Sequence, residues 1–222
     1  MLPFSCYKGD ATLDDSVTGS YVTENFIKVE EPIIYTKNSL ITDSNTIKKF
    51  IYKMFVSGWP EFSFGKTSET TTQSVGIKFI SKGEGAIKSG NQMKPFKVTE
   101  DEKNYVFNRK DTTADYLHST PSRYVEILDK ITTYGPLYKK YSVTQGPFGS
   151  YNSCVETPVE LIVTKAEPLY INNLSTFLIG KRNGGFSDAT DRRTMVATDI
   201  QPFLNDTDTV VVQRKKWSLK KK

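Results

Sequence analysis

The sequence predicts a mainly β fold with two short helices (α+β), built as an antiparallel β-sandwich or barrel. Three observations predict it. Short runs rich in β-branched and aromatic residues recur along the chain, separated by Gly, Pro and Asn. Only two segments carry a helical period. A length of 222 residues, with 37% hydrophobic and 25% charged residues, suits one folded domain.

The elements follow in order. Tyr21 to Val29 reads as a strand, and Pro32 separates it from Ile33-Ile34-Tyr35. Asp43-Ser44 supplies good N-cap types, and Ile47, Phe50, Ile51, Met54 and Phe55 then form one apolar stripe with Lys48, Lys49 and Lys53 off it. Gly58 fits the stop of that helix. Val75, Ile77 and Phe79 alternate with other residues as a strand does, and Tyr105-Val106-Phe107 is a shorter one. Thr120-Pro121 opens a second helix, with Tyr124, Ile127, Leu128 and Ile131 on one face and Gly135-Pro136 closing it. Each helix, apolar on one face, is expected to pack on a sheet. Val159, Leu161 and Val163, then Thr176 to Ile179, Met195-Val196-Ala197 and Thr209 to Val212 complete the strands. Three glycine-bearing segments read as long loops: Lys82 to Gly90, Gly146 to Pro158 and Gly180 to Arg193.

Charge divides the chain in two. The formal net charge is +5, from 30 basic and 25 acidic residues. Residues 214–222 hold six of the cations and no acid; without them 24 basic residues face 25 acidic ones, a net of −1. The expected organisation is therefore one β-rich domain over 1–213 and a basic C-terminal tail over 214–222. The candidate contact residues for nucleic acid or an acidic partner are Arg214, Lys215, Lys216, Trp217, Lys220, Lys221 and Lys222. If the last strand runs on from Val210, Thr209, Val211, Gln213, Lys215, Trp217 and Leu219 share one face. The tail then serves as a solubilising end, a protected sheet edge or a nucleic-acid contact. Lysines outnumber arginines 24 to 6, which argues against sequence-specific reading of DNA.

Residue types exclude most catalytic chemistry, so no enzyme activity and no cofactor or metal is expected. His118 is the sole imidazole, which removes every site needing two. Cys6 and Cys154 are too few for a zinc cluster. Gly65-Lys66-Thr67 resembles the end of a phosphate-binding loop, but Pro60 stands where the earlier glycine belongs and a helix precedes it instead of following. Asp101-Glu102-Lys103 is the nearest acid-x-Lys arrangement and sits in a charged run before a strand. Asn205 to Asp208 has clustered oxygens but lacks the glycine and glutamate of a calcium loop, and reads as a turn. No run of about 18 apolar residues is present, so no membrane partner is expected, and the first six residues lack the pattern of a secretion signal.

The order of elements (two strands, a helix, two strands, a helix, then about four strands) resembles the jelly-roll of small viral coat proteins. That resemblance rests on element order across most of the chain, and the basic segment is C-terminal here. It implies a structural subunit of a virus or phage particle, whether capsid, neck, collar or tail component. Such a subunit forms a symmetric homo-oligomer through loops and termini, contacts other particle proteins and resides in the virion after assembly in the host cytoplasm. The alternative expectation is a non-specific nucleic-acid-binding module acting through the basic tail.

Overall fold

Alternation of apolar and polar residues at period two lets one side of a strand face a core while the other faces water, and the chain uses this throughout. The computed structural model describes residues 17–54, 62–109, 114–117, 127, 130–131, 138–146, 149–156, 159–180, 183–190 and 200–222, with the backbone alone at 54, 114–117, 138–146, 149–156, 180 and 183–190. The N-terminal part contains β1 (Gly19–Val29), β2 (Ile33–Thr36), β3 (Leu40–Ile41) and helix α1 (Ser44–Met54). A run of short strands follows: β4 (Ser68–Thr70), β5 (Gly76–Ser81), β6 (Glu84–Ser89), β7 (Gln92–Glu100) and β8 (Asn104–Asn108). Then come β9 (Ala114–Leu117), β10 (Tyr138–Gly146), β11 (Gly149–Glu156), β12 (Val159–Thr164), β13 (Tyr170–Gly180), β14 (Asn183–Thr190) and β15 (Thr209–Lys221).

Eight of these strands close on themselves. The sheet runs β13-β12-β8-β7-β6-β5-β1-β15, and β15 pairs back onto β13. All eight pairings are antiparallel. Of the two architectures that the sequence allowed, the pairing realises the barrel. Consecutive β5 to β8 lie side by side in a meander, whereas a jelly-roll distributes its strands between two sheets. Side chains fill the interior, as expected for eight strands. Tyr21, Ile77, Phe79, Val98, Tyr105, Phe107, Leu161, Val163, Ile171 and Leu219 form one buried cluster. Phe79 sits at its centre, edge-on to Tyr21, Tyr105 and Phe107 at centroid distances of 5.8, 5.0 and 5.3 Å.

β13 and β15 continue beyond the barrel into a sheet of order β14-β13-β15-β2-β3. Ile47 and Ile51 of α1 pack on one face of it, against Ile34, Phe177 and Val211. Asp43 caps the helix as its residue type predicts, accepting from the Thr46 N–H at 2.8 Å. On the other face Ile127, Ile131, Ile200 and Leu204 pack against Tyr35, Leu174, Leu178, Val210 and Val212. Of the second expected helix, residues 127, 130 and 131 are described and helical; the remainder, with its cap at Thr120-Pro121, lies outside the described residues, as do Gly58 and the strand expected at Met195 to Ala197. A further sheet of three strands has the order β10-β11-β9.

The three segments read as loops contain paired strands, which corrects that expectation. Lys82-Gly83 and Gly90-Asn91 are two-residue turns joining β5, β6 and β7, with Gly83 and Gly90 at φ of 82° and 61°. Gly146 pairs with Gly149, and Gly180 with Asn183, so β11 and β14 each return along the preceding strand.

Candidate nucleic-acid interface

The last strand decides where the basic residues stand. β15 runs unbroken from Thr209 to Lys221, and the boundary drawn at 213/214 falls in its middle. It pairs with β1 from Lys215 to Lys221 and with β13 from Thr209 to Ser218. Residues 214–221 are therefore a wall strand of the barrel and not an appended tail. The predicted alternation holds: Val211, Gln213, Trp217 and Leu219 face inward, and Gln213 is 1% exposed.

That alternation sorts the seven candidate residues into two groups. Lys215, Trp217 and Lys221 have inward parity. The Lys215 ammonium lies 3.1 Å from Glu69, and both side chains are largely buried. Burial works to raise the Glu69 pKa, but hydrogen bonds from Ser63 and Lys215 and the charges of Lys215 and Lys66 outweigh it, so the carboxyl titrates below its ordinary value. Trp217 packs against the barrel core beside Ile27 and Ile171, and its indole N–H has no hydrogen-bond partner among the described residues. Lys221 reaches the barrel mouth, with Nζ 5.9 Å from the centre of the Tyr21 ring.

Arg214, Lys216 and Lys220 point outward, and Lys222 follows the strand end. Arg214 and Lys216 share Glu30 at 2.7 and 3.2 Å, so that trio carries a net charge of only one. Lys220 and Lys222 are exposed and take part in no ion pair among the described residues.

Neighbouring strands extend this outer surface. Lys28 on β1, Lys78 on β5, Lys88 on β6 and Lys97 on β7 are all exposed, on the side opposite the inward Ile27, Ile77, Phe79, Ile87 and Val98. None of the four takes part in an ion pair among the described residues. Register places Lys220 opposite Val22, Val22 opposite Gly76, and Gly76 against Lys88. Lys220 and Lys88 are thus three of eight strands apart, about 14 Å along the curved wall at the usual spacing, so the lysines form a band round the barrel instead of one flat face. Lys222 donates its backbone N–H to Ser20, which lies opposite Lys78. Met93, Pro95 and Ile80 provide exposed apolar surface among these lysines. Glu84, opposite Lys97, and Glu24 of β1 are acids of the same wall among the described residues, with Glu30 held by Arg214 and Lys216. The charge sum missed this face because acids elsewhere cancel it in the total. The signal that could have found it is the position of Lys78, Lys88 and Lys97, each out of phase with the apolar alternation of its strand.

The barrel mouth holds a cleft of about 730 Å³ lined by Val17, Tyr21, Tyr105, Lys165, Leu219 and Lys221, with residues 166–169 along its rim. Lys165 is committed there to Glu100 and the Asp101 carbonyl, each at 2.7 Å. Burial, with a smaller contribution from Tyr105, pushes the Tyr21 hydroxyl above its ordinary pKa.

The other candidates resolve into structure. Asp101 accepts from the Lys103 and Asn104 N–H groups at 2.8 and 2.7 Å, making the turn between β7 and β8. Gly65-Lys66-Thr67 leads into β4 and not into a helix, with the Gly65 N–H donating to Glu31 at 2.9 Å. Asn205 and Asp208 close the turn before β15 on each other, as expected. His118 and Cys6 lie outside the described residues. Among the described residues no group of three His, Cys, Asp or Glu could hold a metal ion, and no helix is long and apolar enough to cross a membrane. Comparison of the chain with known protein families, curated proteins and solved structures gives no match.

Proposed function

We propose that this protein binds nucleic acid without sequence preference, through the outer wall of its barrel. The observation that carries the reading is the set of exposed lysines without an ion pair among the described residues on five neighbouring strands: Lys28, Lys78, Lys88, Lys97, Lys220 and Lys222. Lysine suits this role as a solvated point charge that meets phosphate without demanding one geometry. The filled barrel interior supports a surface function over carriage of a ligand inside it. The basic C-terminal residues enter this reading as part of a wall, and deleting 214–222 would remove most of a barrel strand along with the charge. Fluorescence anisotropy of a labelled single-stranded oligonucleotide across a salt series tests the reading. Six phosphate contacts on a single strand predict a slope of log K against log salt of about −4. Absence of binding at low salt, or a slope near zero, would contradict it.

A second reading follows from the edge of the extended sheet. The eight-residue strand β14 pairs with β13 on one side and with no described strand on the other. An edge of that length, without a partner among the described residues, is a template for another chain, which favours the expectation of a particle subunit assembling with copies of itself. Light scattering on the purified protein should then report a multimer; a monomer at high concentration would refute this reading.

A further inference from the structure

We propose that Phe26 and Tyr170 form a base-stacking platform on the outer face of β1, β15 and β13, which makes single-stranded nucleic acid the preferred ligand. The inference rests on the nucleic-acid reading above and narrows it.

The platform arises from an irregularity in β1. Thr23 pairs with Leu219 and Ile27 with Trp217, so three β1 residues, Glu24 to Phe26, stand opposite Ser218 alone. Such a bulge re-aims side chains. Beyond it Ile27 returns to the interior at 9% exposure, while Phe26 faces solvent at 63%. A phenylalanine held outward on a barrel wall gains nothing from the core, and a π face presented to water is what a nucleobase stacks on.

The opposite side of Ser218 is occupied by Tyr170, its register partner on β13. Phe26 and Tyr170 thus flank one small residue, two strand spacings or about 10 Å apart. Phe26 is the more open of the two, and Tyr170 is half-buried beneath the Lys216 ammonium. Cations border the pair. Lys28 lies opposite Lys216, Lys216 holds its ammonium 5.4 Å from the centre of the Tyr170 ring, and Lys220 is two residues beyond Ser218 on the same face. Asn172, opposite Lys216, donates its amide to the Thr164 hydroxyl at 2.9 Å on the same face. A duplex keeps its bases stacked on each other and offers no face to these rings. A single strand offers both bases and phosphates.

Anisotropy titrations with a labelled thymidine oligonucleotide and an abasic oligonucleotide of equal length separate stacking from charge. With two stacked bases at about tenfold each, the wild type should bind the thymidine strand about a hundredfold more tightly than the abasic one. Phe26→Ala, at a position packed into no core, should lose about tenfold on the thymidine strand and nothing on the abasic strand. Tyr170→Leu, which keeps an apolar side chain in the strand, should behave alike. Equal binding of the two oligonucleotides by the wild type would overturn the platform while leaving charge-driven binding in place. A Phe26→Ala loss of equal size on both strands, or no loss, would also overturn it. If the wild type binds neither strand, the nucleic-acid reading fails and the platform with it.

Discussion

Lys215 shows how far a residue's setting can depart from its sequence neighbourhood. Within a run of cations it reads as one more solvated charge, yet its side chain is 13% exposed and held by Glu69. Glu69 also accepts from the Ser63 hydroxyl. Because its folded pKa lies below the ordinary 4.5, the folded state binds the proton less readily than the unfolded chain. Its contribution is therefore complete above the ordinary value and disappears as pH falls through the depressed one. Glu69→Gln should cost about 1.5–3 kcal/mol near neutral pH, by loss of hydrogen bonds to a charged, partly buried carboxylate, and the gap to wild type should close in acid. Urea midpoints at neutral and acid pH check this; a gap of constant size would refute the assignment. Gln213, beside it, was half legible. Alternation from Val211 placed its side chain inward, but not its partners. Its amide donates to the Glu30 and Ser63 carbonyls at 2.9 and 2.7 Å and accepts from the Ser63 N–H at 3.0 Å. Those contacts span 150 and 183 residues of chain, beyond any local pattern.

At the level of elements, apolar alternation located β1, β2, β5, β8, β12, β13 and the start of β15, and capping plus an apolar stripe located α1. It failed where glycine and proline serve within strands. β6 reads as loop in the sequence because Gly83, Gly85 and Gly90 punctuate it, yet the three do different work. Gly83 and Gly90 make turns. Gly85 lies in the strand, where an added Cβ would meet Phe107 and Val98 side-chain carbons at 2.6 and 2.7 Å. Its lack of a side chain lets the barrel core close against the backbone. Gly85→Ala should therefore destabilise by about 3 kcal/mol through overpacking. Gly90→Ala, with nothing within 4 Å and φ at 61°, should cost only about 1 kcal/mol. Thermal or urea unfolding distinguishes them, and equal effects would contradict this account of β6. β7 was hidden by Pro95, which precedes the stretch from Lys97 to Glu100 that pairs with β8, so its missing N–H falls outside that ladder.

On the scale of the whole molecule, net charge was a poor guide to surface. The near-neutral 1–213 segment suggested that any basic contact must lie in 214–222. Closing the barrel changes this, because Lys28, Lys78, Lys88 and Lys97 come to stand with Lys220 and Lys222 in a band over five of its eight strands, half of the circumference. A sum over sequence averages faces that the fold separates, and the fold takes Lys215 and Trp217 out of the exposed set while bringing distant lysines into it. The most direct measurement compares the salt dependence of oligonucleotide binding for the wild type and for Lys78→Gln, Lys88→Gln and Lys97→Gln combined. These three lysines lie more than a hundred residues before the C-terminal segment and outside the barrel core. If the wall is the interface, the triple variant keeps its fold by circular dichroism, and its slope of log K against log salt becomes shallower by about 2. An unchanged slope and affinity would contradict a binding face made by the barrel wall.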